Sequence, residues 1–367
     1  MRIIDKINLK KIMEKEETNY TKTKLYVGID VHKKQWSVSI YTSQIHHRTF
    51  SQLPLPSALR TYLDTNFPGA KVKCAYEATC FGWWIARELI SFGYECLVVN
   101  PSDIPSTNQE SQNKTDKIDS RKIAKTLQAG LLRGSYIPDE GLEGDRQLVR
   151  YRKRQWSDLV KVKNRIKGTL RFSGIQLPAE YDNAYWTKAF LRWLREVELP
   201  SRSTRLTMDL LLSQYDALYA HHLRISREVR GLLKRSRYAD RCNLLMGIPG
   251  IGPLTSIQLL VELGELDRFR NFKALNSFIG FKPSTYSSGE HDWKGHMTKR
   301  RHNGLRSALI ECSWQAVQKD PALLVRYEVL IKRMTKKRAI VVIARKLLSR
   351  IYHVLKYKEP YELGLVA

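Results

Sequence analysis

The chain has 367 residues, which is enough for two or three domains. Its 43% of apolar residues supply a folded core and exclude wholesale disorder. Its 63 Lys and Arg against 36 Asp and Glu give a net charge of +27. A chain this basic repels itself unless a polyanion compensates, and we expect nucleic acid in that role. A membrane surface is the weaker alternative, because no polybasic cluster adjoins a hydrophobic anchor.

The sequence predicts no membrane partner and a reducing compartment. No stretch approaches 18 uninterrupted apolar residues, and the first 20 residues lack the apolar region of a signal peptide. The five cysteines form no CxxC pair, which argues against zinc and against a disulfide framework. We therefore expect a cytoplasmic location. The cysteines are Cys74, Cys80, Cys96, Cys242 and Cys312.

The N-terminal part predicts a mixed α/β sheet. Residues 25–42 form two predicted strands joined by a tight turn at 32–35, and the first strand is apolar up to Asp30. A third extended segment covers 46–51. Helices and strands then alternate, as is typical of α/β domains. The predicted helices cover 57–65, 83–91 and 119–130, and the predicted strands cover 71–77 and 94–99.

The region from about 143 to 240 is predicted to be helical. Glycine and proline become scarce there, and apolar residues from Leu211 to Leu232 recur at alternating spacings of four and three. This heptad seam fits two interpretations equally, an intermolecular coiled coil or a core-facing helix within the chain. His222 lies on the seam and is interpreted as a polar residue that sets its register, without a catalytic role.

A third region opens near Leu244. Its pattern predicts a helix, a glycine hairpin, a second helix and a further short helix, followed by a basic helical tail over 303–357. The sequence thus suggests four segments. They are an N-terminal extension (1–24), an α/β domain (25–140), a helical or coiled-coil region (141–240) and a mainly α C-terminal domain (241–367).

Four carboxylates stand where the predicted fold can gather them. Asp30 and Glu77 end predicted strands, and Asp116 and Asp119 are three residues apart at a helix start, on one face. Each alone is also an ordinary turn or cap residue. Together they would repel one another unless a cation lies among them, and oxygen ligands select Mg²⁺ or Mn²⁺. Two such ions would suit phosphodiester cleavage.

Three sequence blocks carry a family resemblance. GIDVHKKQWSVSI, YEATCFGWWIARELISFGYECLVVNP and KTDKIDSRKIA resemble successive blocks of the DEDD-type insertion-sequence transposases, which include the pilin-gene invertases. The resemblance implies an RNase H/RuvC-like fold for the α/β domain. It also assigns the family's metal-binding carboxylates to Asp30, Glu77, Asp116 and Asp119. Cys80 departs from the glycine or small residue that is more usual there, outside the carboxylate set.

A glycine turn in the C-terminal region resembles that of a helix-hairpin-helix element. In IPGIG, Gly250 and Gly252 would let the backbone approach a phosphate, and the next helix would direct its N–H groups at it. Such an element holds DNA without reading its sequence. The alternative is a plain glycine-capped turn between two helices.

The block FIGFKPSTYSSGEHDWKGHMTKRRHNGLRSALIE resembles the second signature of the same transposases. In that family the serine before the glycine is the nucleophile, which implies Ser288 here, with Ser287 the less favoured neighbour. From the residues alone, a solvated turn would be the interpretation. Basic residues after the turn are predicted to clamp phosphates or balance charge, with a solvated basic helix as the alternative. They are Lys299, Arg300, Arg301 and Arg306.

The predicted function is that of a DNA transposase or site-specific recombinase. The resemblance implies metal-assisted attack by Ser288 on double-stranded DNA at element ends and target, a structured guide RNA, and assembly as dimers or tetramers. One alternative is a Holliday-junction resolvase-like nuclease that uses water, with Ser288 a bystander. The other is a non-catalytic nucleic-acid-binding protein whose carboxylates are structural.

Overall fold

The computed structural model describes residues 20–364 apart from positions 44, 106–114, 184, 289–290 and 298–300, and for 283–297 it describes the backbone. The chain divides into two compact units, the first ending at Pro138 and the second beginning at Asp139. Each unit is described separately below.

The first unit is built on a five-stranded sheet in the order β3-β2-β1-β4-β5. The central strand β1 pairs antiparallel with β2 and parallel with β4, and β4 pairs parallel with β5. This mixed sheet confirms the predicted α/β class and is consistent with the RNase H/RuvC-like fold. The strands are β1 Lys24–Val31, β2 Trp36–Tyr41, β3 His46–Gln52, β4 Lys71–Glu77 and β5 Glu95–Val99.

Helices pack on both faces of this sheet. Helices α1 (Pro56–Asn66) and α2 (Trp84–Ser91) contribute buried leucines and isoleucines to a core with alternate residues of β1, such as Val27. Helix α3 (Asp116–Gln128) packs on the opposite face, where Ile123 and Leu127 join a second cluster. The alternating burial follows from the two-residue period of a strand.

In the residues that the structure describes, the second unit is helical apart from one β-hairpin. No helix in the described part of the chain is long and apolar enough to cross a membrane. Its elements are α4 Glu140–Phe172, α5 Lys188–Glu196, α6 Arg202–Gly231, α7 Ala239–Met246, α8 Pro253–Leu263, α9 Phe272–Ile279, β6 Pro283–Ser288, β7 His291–Met297, α10 Asn303–Lys319, α11 Pro321–Ile331 and α12 Lys336–Tyr357.

Helices α4 and α6 pack along each other and bury the heptad seam. Tyr215, Ile225 and Val229 of the seam are each at most 8% exposed. Leu159 and Ile166 of α4 share a core cluster with Tyr215. Of the two interpretations of the seam, the structure therefore shows the core-facing helix.

The hairpin of β6 and β7 is an element that the sequence did not predict. Its backbone register pairs Tyr286 with Trp293 and Ser288 with His291. The Ser-Ser-Gly segment was predicted as a flexible turn, and the structure instead places both serines at the end of a strand. Polar side chains without apolar alternation gave no strand signal here.

Candidate active site

The strand register brings Asp30 and Glu77 to one edge of the sheet. Ile29 lies opposite Tyr76 in the parallel pair of β1 and β4, so Asp30 and Glu77 occupy the next position on each strand. Matched residues on neighbouring strands share a face, and residues two apart on one strand do so as well. Asp30 and Glu77 therefore lie on the face of Gly28, which is the face that α3 covers.

A close helix-to-sheet contact fixes the position of α3. A Cβ added at Gly28 would lie 2.2 Å from the carbonyl oxygen of Ser120 and 2.4 Å from the backbone nitrogen of Ala124. The buried Ser120 Oγ also lies 3.0 Å from Ser37 Oγ and 2.9 Å from Ser39 Oγ, within hydrogen-bond distance of both. These contacts place the first turn of α3 at the acidic strand ends.

Asp116 and Asp119 lie on that first helical turn. The N-cap is Thr115, whose hydroxyl accepts a hydrogen bond from the Ile118 N–H at 3.4 Å. The ordinary cap role that the sequence left open for Asp116 therefore belongs to its neighbour. Both carboxylates remain available for other contacts.

His32 joins two of the carboxylates and was not predicted as a site residue. Its Nε2 lies 3.1 Å from Asp30 Oδ2 and 3.6 Å from Asp116 Oδ1. One ligand atom from each of these three residues lies within 4.8 Å of the other two. His32 follows Asp30 by two residues, so the period of a strand could have placed it beside Asp30.

The electrostatics of this edge suit a divalent cation. Burial raises the pKa of Asp30, its contact with His32 lowers it, and the nearby charges of Asp116 and Asp119 raise it again. Like charges around a half-buried carboxylate disfavour its ionised form, and a bound cation removes that penalty. The carboxylate oxygens fit a hard divalent ion, and an imidazole beside them can orient a ligating carboxylate.

In the second unit, the two glycines of the IPGIG turn have different surroundings. Gly250 has a φ of +86°, and a Cβ added there would lie 2.3 Å from the carbonyl oxygen of Cys312 in α10. This glycine therefore has a packing role between helices. Gly252 is the N-cap residue of α8 and has open space around its Cβ direction. Phosphate contact by Gly250 and Gly252 stays a prediction.

The described basic residues near the hairpin cluster at its base. Arg301 packs on Gly280, whose added Cβ would lie 2.3 Å from the Arg301 Cβ, and its Nε donates to Asn303 Oδ1 at 2.6 Å. The Arg306 guanidinium lies 5.9 Å from the Phe281 ring centre. Burial and the neighbouring Arg301 lower the pKa of Arg306. The other predicted contacts, namely Lys299, Arg300 and the Ser288 side chain, lie outside the described residues.

An α/β sheet with an acidic edge, on a strongly basic chain, is consistent with an RNase H-like enzyme that acts on nucleic acid. Comparison with known families identifies the family within this class of enzymes. Residues 27–174 match a DEDD family model described as "Transposase", and residues 242–328 match one described as "Transposase IS116/IS110/IS902 family". The chain belongs to the DEDD-type insertion-sequence transposases and is a DNA transposase, as the resemblance predicted.

Individual relatives agree with the family assignment. The transposase for insertion sequence element IS1111A of Coxiella burnetii is 23% identical over 350 residues, covering 92% of this chain and 88% of that protein. The transposase for IS1533 of Leptospira borgpetersenii is 26% identical over 267 residues, covering 70% and 75%. The pilin gene-inverting protein of Moraxella bovis is 34% identical over 134 residues, covering 33% and 39%. The non-catalytic alternative thereby loses its support.

Proposed function

We propose that this transposase cuts and rejoins double-stranded DNA through a serine nucleophile and a carboxylate-bound metal. The observation that carries the metal site is the gathering of Asp30, His32 and Asp116 at one strand edge, with Asp119 near enough to raise the pKa of Asp30. The resemblance of the YSSG block to the second transposase signature supports the serine.

The carboxylates Asp30, Glu77, Asp116 and Asp119 are the proposed holders of Mg²⁺ or Mn²⁺. When bound, such ions stabilise negative charge on the phosphate and on the attacking and leaving oxygens. His32 keeps the Asp30 carboxylate oriented through their 3.1 Å contact.

Ser288 is the proposed attacking group. Its Oγ forms a bond to phosphorus while the bond from phosphorus to the leaving deoxyribose oxygen breaks, and the hydroxyl proton goes to that oxygen. Strand exchange reverses the step, because the hydroxyl of a recombining strand then displaces the serine. Both steps exchange one phosphodiester for another, so they need no external energy source.

Basic residues and a helix start are the proposed DNA-holding groups. Lys299, Arg300, Arg301 and Arg306 follow the hairpin in sequence, and their cations suit phosphate oxygens. The open backbone at Gly252, beginning α8, suits the same ligand. These contacts would position DNA without reading its bases.

The family resemblance also supports an RNA partner and self-association. The resemblance implies assembly as dimers or tetramers and, because several members of that family are guided by a structured RNA, an RNA partner here. A net charge of +27 accommodates two polyanions. The four-segment organisation with boundaries near 24, 140 and 240 is part of the same proposal. The inverting activity in the name of the Moraxella relative agrees with recombination as the reaction class.

The test is recombination on the element's own DNA ends. Replacing Asp116 or Asp119 with Asn should abolish strand exchange while leaving DNA binding largely intact. Ser288→Ala should eliminate both exchange and a covalent protein–DNA adduct, and Ser287→Ala should have a milder effect. Peptide mapping of the trapped adduct identifies the nucleophile.

Each component of the proposal has its own contradicting result. Full activity in Asp116→Asn or Asp119→Asn protein would contradict the metal assignment. An adduct on Ser287 or on Tyr286 would refute Ser288 but keep the covalent mechanism. Products without any adduct would favour the water-using, resolvase-like nuclease.

A further inference from the structure

A cavity in the second unit is lined by residues that the proposed function does not use. It has a volume of about 660 Å³ and is lined by residues of α4, α6, α8 and the start of α10. This volume is within the usual range for small-ligand sites. Its lining combines an aromatic side chain, a buried polar atom and several cations.

Trp156 and His222 form the aromatic part of the lining. Trp156 is 47% exposed although it is large and apolar, and its ring centre lies 5.1 Å from that of His222. His222 is 7% exposed, and its Nδ1 is buried without a hydrogen-bond partner among the described residues. Burial lowers the pKa of His222, and Arg152 and Lys163 lower it further, so the imidazole is neutral at pH 7. An unpaired buried polar atom is costly unless a ligand or water satisfies it.

The charged part of the lining is cationic except for one carboxylate that is already paired. Arg152 donates from Nε to the buried Ser226 Oγ at 2.9 Å, and burial together with Arg230 lowers its pKa. The one carboxylate among the lining residues, Glu262, is already paired with Arg150 at 2.6 Å. The cations of Arg152, Lys153 and Arg154 therefore line a cavity whose own acid is neutralised.

We propose that this cavity binds one unpaired nucleotide of a nucleic-acid strand. The base would stack on Trp156 with a polar edge toward His222, and the adjoining phosphates would contact Arg152 and Arg154. A free anion would leave the exposed indole unexplained, and a paired base cannot present its face to it. The inference rests on the proposal that the protein handles nucleic acid, but it does not depend on the carboxylates or on Ser288.

The experiment is a binding titration of the full-length protein with fluorescently labelled 12-mers. The probes are single-stranded oligo-dT, single-stranded oligo-rU and a DNA duplex of equal length. The variants are Trp156→Ala, Trp156→Phe and, as a matched control, Trp314→Ala, because Trp314 is 36% exposed in the same unit but outside the cavity. Ultraviolet crosslinking of wild-type protein to 5-bromouracil oligonucleotides adds a readout that needs no variant.

We expect Trp156→Ala to weaken binding of a single-stranded probe by about tenfold, as loss of one stacked base does. Trp156→Phe should keep most of the affinity, and Trp314→Ala should match wild type. Binding of the duplex probe should not change in any variant. Crosslinks should map to the peptide that contains Trp156.

A larger effect of Trp156→Ala on oligo-rU binding assigns the site to an RNA strand, and a larger effect on oligo-dT binding assigns it to a separated DNA strand. Tight single-strand binding that ignores Trp156, with crosslinks elsewhere, overturns the inference alone. Absence of all nucleic-acid binding by wild type overturns it together with the proposed function.

Discussion

Gly28 sets the distance between helix α3 and the sheet. Its missing Cβ is what lets the Ser120 carbonyl oxygen and the Ala124 nitrogen sit against β1. Asp116 and Asp119 are carried by the same helix, so a backbone contact two residues before Asp30 controls how close the acidic side chains come. The glycine of the GIDVHK block is thus part of the site, although it bears no functional group.

Replacing Gly28 with Ala should therefore damage the site through the backbone. A methyl group 2.2 Å from a carbonyl oxygen forces α3 outward, and overpacking of this kind costs about 1–3 kcal/mol. We expect a lower free energy of unfolding, and weaker Mn²⁺ binding by isothermal titration calorimetry. Gly144→Ala is the matched control, because Gly144 lies in α4 with nothing near its Cβ direction. It should leave Mn²⁺ affinity unchanged and leave the free energy of unfolding unchanged or slightly higher. Wild-type metal affinity in Gly28→Ala protein would contradict this account.

At the scale of elements, one buried carboxylate joins three helices of the second unit. Glu262 of α8 is 5% exposed and accepts hydrogen bonds from Arg150 of α4 at 2.8 and 2.6 Å. His302 Nε2 lies 3.2 Å from the same carboxylate, and His302 Nδ1 accepts from the Leu305 N–H to cap α10. Burial by itself would raise the pKa of Glu262, but His302 and Arg150 outweigh burial and lower it to about 2.

Glu262→Gln should destabilise the protein by about 2 kcal/mol. This is below the about 3–5 kcal/mol of a fully buried pair, because the Arg150 side chain is 49% exposed. The contribution of ionised Glu262 is fully present above its ordinary pKa of 4.5 and is lost as pH falls toward 2. Urea unfolding should therefore show that the difference in unfolding free energy between wild type and variant shrinks from pH 5 downward.

The control is Glu265→Gln, which removes an exposed carboxylate nearby and should change stability by less than about 0.5 kcal/mol at any pH. A difference that grows in acid would contradict the ion-pair explanation.

The elements of the first unit were predictable from the sequence, and the contacts between distant segments were not. All five strands and the three helices were predicted close to their observed bounds, because alternation and apolar runs are local signals. The acidic edge of the sheet could be predicted because Asp30 and Glu77 stand at the ends of predicted strands. Glu262 gave no signal, because its partners Arg150 and His302 lie 112 and 40 residues away in the chain. The β6–β7 hairpin was missed because its strands lack apolar alternation.

At the scale of the whole molecule, the dominant property is positive charge. The net charge of +27 favours binding to nucleic acid. Each Lys or Arg that contacts a phosphate releases condensed counterions, and each released counterion makes the affinity more sensitive to salt. With six or more phosphate contacts, affinity for duplex DNA should fall about a thousandfold or more between 50 and 200 mM salt. Fluorescence anisotropy across a salt series measures the slope, and Asp116→Asn protein should show the same slope because the change removes none of the Lys and Arg cations that displace counterions. A nearly flat response would show that the charge serves another purpose.

The base of the hairpin has a consequence for how such proteins can diversify. Gly280 and Arg301 touch, and the His302 N–H donates to the Phe278 carbonyl at 3.2 Å, so the chain leaves the helical unit and returns to it at a single point. The entropic cost of closing a loop rises only with the logarithm of its length. A longer loop between two ends that already meet therefore costs little additional free energy. The segment between them can therefore change in length while the helices keep their own packing, provided that the change spares Ser288 and the basic residues of the proposed site.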